Sequence, residues 1–160
     1  MKYEKQFPVL EPIHGVEVRI PLVGRIDEKL DFRNANAVLG EMLKNDAALR
    51  QQFGITEQFV KDNLLHKNGN VNGRAVANWL DGQDLVWHHH QDMRRLQLVK
   101  NPPHDPDVLR HTGGEAYIRG TIDELIKRGV IKAEQSRDGL TEALIQKARE
   151  LGIIPSDFPW

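Results

Sequence analysis

Apolar and polar residues along the first thirty positions form short alternating pieces rather than long runs. Val16–Ile20 alternates apolar with charged side chains, and Leu22–Val23 adds a second apolar piece between Pro21 and Gly24. Alternation with a period of two is typical of a half-buried strand, and nearby prolines and glycines break it early. The pattern therefore predicts at most one or two short strands within an extended segment over residues 1–30.

Apolar residues then recur at helical spacing, which predicts an amphipathic helix with Asp31 as its N-cap. The residues that define it are Ala35, Val38, Leu39, Met42 and Leu43. A second helix is predicted over Ala47–Phe53, and a third from Thr56 to about His66, so that residues 31–66 are helical. The turn formers of 67–73 predict a loop, after which the helical period is lost.

Two β-prone segments follow, Leu85–Trp87 and Leu96–Val99, with a polar stretch between them. This arrangement predicts an antiparallel hairpin with a wide loop. Asp107–His111 is predicted to form a short helix that ends before Gly113.

Two further helices are predicted over 121–152. The first helix begins at a capping box whose first residue is Thr121, and it ends at Gly129. The second is amphipathic, ends before Gly152, and is marked by Leu140, Leu144, Ala148 and Leu151. The chain is therefore predicted to be an α+β protein, mostly helical, with a single domain over 1–160.

Composition narrows the chemistry that this domain can use. A chain of 160 residues can bury a core without disulfides, and no apolar run approaches the roughly 18 residues that span a bilayer. No membrane insertion is expected, and the mixed charge after Met1 does not predict a secretory signal peptide. Because there is no cysteine, a metal must use histidine, carboxylate or amide ligands. The net charge of −1 does not favour a broadly basic nucleic-acid binder.

Histidines concentrate around the predicted hairpin and short helix. Five of the seven occur between positions 88 and 111, and they are His88, His89, His90, His104 and His111. Neighbouring residues of a strand point to opposite faces, so His88 and His89 cannot both ligate one ion from a regular strand. One imidazole could bind a metal while its neighbour takes a proton from water aimed at a phosphodiester. The cluster favours a functional site over a set of surface histidines without a ligand.

The spacing of the last two histidines excludes a simple helical chelate. On one helix, His104 and His111 would be separated by about 10 Å along the axis, too far for a single ion with bonds of about 2.0–2.1 Å. At least one of them is therefore expected outside the helix, and Pro106 favours a loop position for His104. Whether both are ligands, or one contacts the scissile phosphate, stays open. For His14 and His66 a structural role is expected.

Several of these segments together resemble the WHH branch of the HNH/endonuclease VII superfamily, the toxin nucleases of bacterial polymorphic toxin systems. The matching segments are Trp87-His88-His89, Leu96–Val99, His104 and His111–Gly114. Asp31–Asn36 also resembles the first helix of that family, so the resemblance covers roughly residues 25–119. It implies a ββα-metal core over residues 85–114, with a hairpin that carries the general base and a following helix that offers metal ligands.

Carried onto this chain residue by residue, the resemblance implies a metal ligand at His88 and the general base at His89. His90 is the base instead if the register is shifted by one residue. On the helical side, His104 is implied as a ligand, and His111 as a further ligand or a phosphate donor.

The supporting residues come from the same stretch. Asp92 stands where a carboxylate would orient an imidazole, and Arg95 stands where many HNH nucleases have asparagine. Candidate phosphate contacts are Arg94, Arg95, Lys100 and Arg110, and for each a solvated surface position is an equal alternative.

The metal-plus-base constellation predicts hydrolysis of phosphodiesters in DNA with a divalent ion, either Mg²⁺, Mn²⁺, Ni²⁺ or Zn²⁺. Two alternatives stay open: an RNase or tRNase with the same site, and a zinc-stabilised binding module whose histidines are all ligands. The resemblance further implies a toxic C-terminal piece of a larger secreted effector. Such a piece acts in the cytoplasm of a target bacterium and has a cognate immunity protein as partner.

Overall fold

A three-stranded antiparallel sheet carries the histidine run. The computed structural model describes residues 3–4, 7–8, 10–24, 27–90, 92–101 and 113–154. Strand β4 (Leu85–His89) pairs with β5 (Arg95–Lys100), and β3 (Glu17–Arg19) pairs with the other edge of β5, giving the order β3-β5-β4. The predicted hairpin is thereby confirmed. With these strands and the helices below, the α+β class is confirmed as well.

The N-terminal segment contains one more strand than predicted. Besides β3, strands β1 (Tyr3–Glu4) and β2 (Phe7–Pro8) form a small antiparallel hairpin, and a 3-10 helix covers Ile13–Gly15. Two residues in each strand are too few for a period of two to be visible in the sequence.

Helix α1 (Glu28–Asn45) begins before the predicted start, and the predicted N-cap was wrong. Asp27 is the N-cap, because its side chain accepts a hydrogen bond of 3.0 Å from the Leu30 amide. Asp31 lies in the first turn and is buried. The segment therefore offers two aspartates one turn apart, and the exposed one caps the helix while the buried one is free for a tertiary contact.

The next two helices agree with the sequence. Helix α2 (Ala47–Phe53) starts after Asp46 and ends at a left-handed Gly54, and α3 (Glu57–Asn63) is capped by Thr56 but ends before His66. Side-chain caps and a C-terminal glycine are local signals, so they are readable without tertiary information.

The prediction that helical structure is lost after residue 73 was wrong. Helix α4 (Gly73–Gly82) follows the loop, and the Asn72 side chain caps it by accepting a hydrogen bond from the Ala75 amide. Its buried positions are Val76 and Leu80, one turn apart. Two buried apolar positions are a weak signal for a helix. The preceding Asn72-Gly73 pair does not decide the matter, because Asn-Gly is typical of turns and asparagine is also a common helix N-cap.

Two α-helices follow the sheet among the described residues, α5 (Gly113–Lys127) and α6 (Glu142–Glu150). The predicted capping box at Thr121 was wrong, because Thr121 lies inside α5, where its buried hydroxyl donates to Met93 Sδ over 3.6 Å. Helix α6 is confirmed, with Thr141 as its N-cap. The predicted helix over Asp107–His111 lies outside the described residues. No helix within the described ranges has the length and apolarity needed to cross a membrane.

Close packing between α1 and the loop before α4 gives a testable consequence at Gly40. A Cβ at this position would overlap Cγ1 of Val71, whose branched side chain has little rotational freedom. We expect Gly40→Ala to destabilise the protein by about 1–3 kcal/mol, despite the better helix propensity of alanine. Gly120→Ala in α5, where nothing lies within 4 Å, is the matched control and should be neutral or stabilising. Urea unfolding gives the free energy of unfolding of each variant. Equal values for Gly40→Ala and Gly120→Ala would contradict the packing argument.

Candidate active site

The two faces of β4 have different environments. Trp87 and His89 are buried on the side of α1, where the Trp87 Nε1–H donates to Asn36 Oδ1 over 2.8 Å. His88 is half-buried on the other face, in register with Gln97 of β5, which is itself in register with Glu17 of β3. As expected for a regular strand, the adjacent His88 and His89 therefore point to opposite faces.

His89 contacts the first turn of α1. Its Nε2 lies 2.8 Å from Asp31 Oδ2, and the side chains are only 4% and 1% exposed. The same carboxylate accepts hydrogen bonds from the Val23 amide at 3.0 and 3.2 Å and from the Gly24 amide at 2.8 Å. Because a carboxylate is an acceptor, we assign a hydrogen to Nε2 of His89, and in the neutral tautomer of this assignment Nδ1 carries the lone pair.

Sequence reasoning missed the role of Asp31, although a signal was present. Asp31, Ala35 and Leu39 are spaced like one face of a helix, and all three are buried. An acidic residue at an apolar position of an amphipathic helix usually has a polar partner inside the protein. The partner itself lies 58 residues further along the chain.

The turn between β4 and β5 is tighter than the wide loop that was predicted. The His90 amide donates to the Arg95 carbonyl over 3.0 Å, and the Met93 amide donates to the His90 carbonyl over 3.2 Å. The Asp92 carboxylate accepts from the Arg94 amide at 3.0 Å, an Asx-type contact. Met93 has a left-handed φ of 61° while its side chain is fully buried. These contacts hold the strand end that carries the histidines.

Arg95 connects the turn to the edge strand β3. Its Nε donates to Asp92 Oδ2 over 2.8 Å, and its Nη1 donates to Glu17 Oε2 over 2.7 Å. The Nη2 lies 3.3 Å from His90 Nε2. His90 Nδ1 lies 3.1 Å from the Asp92 amide nitrogen, which donates to it, and 3.2 Å from Asp92 Oδ1. Asp92 thus supports the imidazole of His90, while Asp31 supports that of His89.

The pKa values of these groups follow from the network. Burial raises the pKa of Asp92, but its contacts with His90, the Arg94 amide and Arg95 have the opposite and larger effect. The pKa of Asp92 therefore lies below the ordinary value of 3.8. Burial also raises the pKa of Glu17, and hydrogen bonds from Gln97 and Arg95 bring it below 4.5. Burial lowers the pKa of Arg95, and Glu17 and Asp92 more than reverse this effect. The cluster is therefore held with both carboxylates ionised at neutral pH.

The remaining predicted cations lie in different settings. The Arg94 side chain is 18% exposed and lies 3.5 Å from Glu142 Oε2, beside a cavity of about 370 Å³ that Arg19 and Thr141 also line. Lys100 is exposed at the end of β5. Arg110, His104 and His111 lie outside the described residues.

The donors for a divalent ion were predicted at His88, His104 and His111, of which only His88 is among the described residues. Within residues 10–24, 27–90, 92–101 and 117–154, no three histidine, aspartate or glutamate side chains are grouped so that they could hold a metal. His88 offers an imidazole on the half-buried face of β4, whereas Nε2 of His89 is used by Asp31. His104 and His111 lie outside the described residues, and the donor chemistry of His88, His104 and His111 is compatible with a divalent ion.

Comparison with known protein families identifies a family for this chain. The profile of a family described as the DNase/tRNase domain of colicin-like bacteriocins matches residues 1–113. That range includes β3, α1 and the entire hairpin, together with His104 and His111. No curated protein and no solved structure matches the chain.

Proposed function

Because this chain belongs to the family of DNase/tRNase domains of colicin-like bacteriocins, we propose that it cleaves DNA by metal-dependent hydrolysis of phosphodiester bonds. Family membership makes it a nuclease domain of a bacteriocin toxin. The observation that carries the proposed chemistry is the pair of neighbouring histidines at the end of β4. His88 lies on the half-buried face of β4, and His89 is hydrogen-bonded to Asp31.

We place the chain in the WHH branch of the HNH superfamily on its Trp87-His88-His89 motif. The hairpin and its register support this placement, because they put the motif at the end of the first strand, where that branch carries its base. A divalent ion, Mg²⁺, Mn²⁺, Ni²⁺ or Zn²⁺, would be held by His88, His104 and His111. When bound, it supplies positive charge that stabilises the phosphate as the leaving oxygen departs.

In the proposed reaction, His89 acts as the general base through Nδ1. It takes a proton from water, the water oxygen forms a bond to phosphorus, and the bond from phosphorus to the sugar oxygen breaks, after which the leaving oxygen takes a proton from solvent water. Arg94, Lys100 and Arg110 are proposed contacts for flanking phosphates. Arg95 is less suited to that role, because binding a substrate phosphate would compete with its contacts to Glu17 and Asp92.

Cleavage of tRNA is the second candidate function, because the family description includes tRNase domains. Both activities need a base and stabilisation of the phosphate charge, and the described residues include no group that is specific for a ribose 2′-hydroxyl. Membership in a nuclease family favours catalysis over a zinc-stabilised binding module.

A parallel digestion tests the proposal. We expect the purified chain to convert supercoiled plasmid to nicked and linear forms when Mg²⁺, Mn²⁺, Ni²⁺ or Zn²⁺ is added, and to stop when EDTA is present. Bulk tRNA and total RNA should remain intact under the same conditions. Cleavage of tRNA with intact plasmid would support the second candidate instead, and intact substrates with every ion would exclude both.

The bacteriocin family is the basis for a proposal about partners. We propose that the chain is the toxic domain of a larger secreted effector, that it acts in the cytoplasm of a target bacterium, and that a cognate immunity protein binds it. Co-expression of candidate immunity proteins with the toxin, scored by survival of the host, tests the last of these.

A further inference from the structure

We propose that Asp31 is a positioning residue for His89, so that the first turn of α1 determines which imidazole nitrogen takes the proton in the reaction. This inference rests on the proposed function of His89 as the general base. It concerns a residue from a distant part of the chain, 58 positions before the histidine.

The carboxylate of Asp31 is fixed before it reaches His89. The Val23 and Gly24 amides donate to it, and α1 holds its backbone, so both oxygens have assigned partners. Asp31 is 1% exposed, so its carboxylate is shielded from bulk water. The 2.8 Å contact to Nε2 is therefore made by a rigid acceptor that determines the orientation of the ring.

The contact has two consequences for a base. Hydrogen on Nε2 leaves Nδ1 as the nitrogen that accepts a proton. When Nδ1 has taken it, the imidazole is positively charged, and the adjacent carboxylate stabilises that charge in a site with little water. A neutral acceptor in the place of Asp31 would hold the hydrogen on Nε2 only in part. It would hardly stabilise the positive charge of the protonated imidazole.

Attachment of β4 to α1 does not by itself account for Asp31. Trp87 Nε1 already joins the same strand to the same helix through Asn36, in a buried contact of the same 2.8 Å length. Burying an aspartate costs more than burying an apolar pair of similar size, so a tie between α1 and β4 alone has no need of a carboxylate, although this one also accepts from the Val23 and Gly24 amides.

The matched pair Asp31→Asn and Asn36→Ala separates the two roles. Each change weakens a buried contact between α1 and β4, but only Asp31→Asn alters the group that faces His89, and it also removes an acceptor from the Val23 or Gly24 amide. We expect Asp31→Asn to lower kcat on plasmid DNA about 10- to 100-fold, with KM within about two-fold and unchanged metal content. Asn36→Ala should lower the melting temperature and retain kcat. Equal kcat in Asp31→Asn and wild type would overturn the inference, as would reduced metal content in Asp31→Asn.

A second measurement does not depend on activity or on a folded variant. In ¹⁵N spectra of the metal-free wild-type chain at pH 8, we expect His89 to carry its proton on Nε2 and none on Nδ1. A proton on Nδ1 would overturn the inference. If the wild type cleaves no nucleic acid but shows this tautomer, the proposed function fails while the contact stands. If it cleaves DNA but Asp31→Asn does so equally well, only the inference about Asp31 fails.

Discussion

Replacing His89 with alanine is expected to lower the rate of DNA cleavage by about 10²- to 10⁴-fold, the usual contribution of a positioned general base. The physical reason is that the variant removes the imidazole that Asp31 holds through Nε2, and alanine has no group that can take a proton. Metal content should remain near that of the wild type. His88→Ala should also lose cleavage, but together with bound metal, because it removes a proposed ligand.

Two further variants make this comparison decisive. His89→Gln keeps an N–H donor for Asp31 and should fold like the wild type while remaining inactive, which separates loss of the base from loss of the fold. His66→Ala removes an exposed histidine of the loop between α3 and α4 and should cleave at the wild-type rate. Full activity of both His89 variants would exclude His89 as the base, and His90→Ala would then test the alternative base.

Replacing Arg95 with methionine should destabilise the protein by about 3 kcal/mol at pH 7, the lower end of the range for removing one partner of a buried ion pair. Asp92 is 2% exposed in this cluster, whereas Arg95 and Glu17 are 24% and 31% exposed, which reduces the effect. Methionine keeps much of the length and apolar volume of the arginine stem, so the loss reports the charge and its hydrogen bonds. Thermal and urea unfolding measure it.

The effect of Arg95→Met should depend on pH in a defined direction. The pKa values of Asp92 and Glu17 are lowered in the folded state, below 3.8 and 4.5. Their contribution is therefore present above these ordinary values and is lost as pH falls through the lower folded values. The stability difference between wild type and variant should shrink below about pH 4. Arg119→Met is the control, since its exposed pair with Asp123 should contribute less than about 1 kcal/mol. A difference independent of pH would contradict the electrostatic account.

Local patterns in the chain were sufficient for many of its elements. The hairpin follows from two β-prone segments, and α2 and α3 follow from Asp46, Thr56 and Gly54, because caps and strand alternation act between residues close in sequence. Local patterns failed where one residue type serves two purposes. Asn72 and Gly73 are residue types typical of a turn but start α4, and Thr121 matches a capping box but lies inside α5.

The histidine run and its opposite-facing neighbours were also visible in the sequence, because side-chain direction alternates in any regular strand. The sequence did not show which carboxylate accompanies which imidazole. Asp31 was expected to cap a helix, yet folding brings it to His89, while Asp92 and Arg95 hold His90 and the turn. Such pairings depend on how α1 packs against the sheet. A contact across 58 residues has no local signature, so only the tertiary structure decides it.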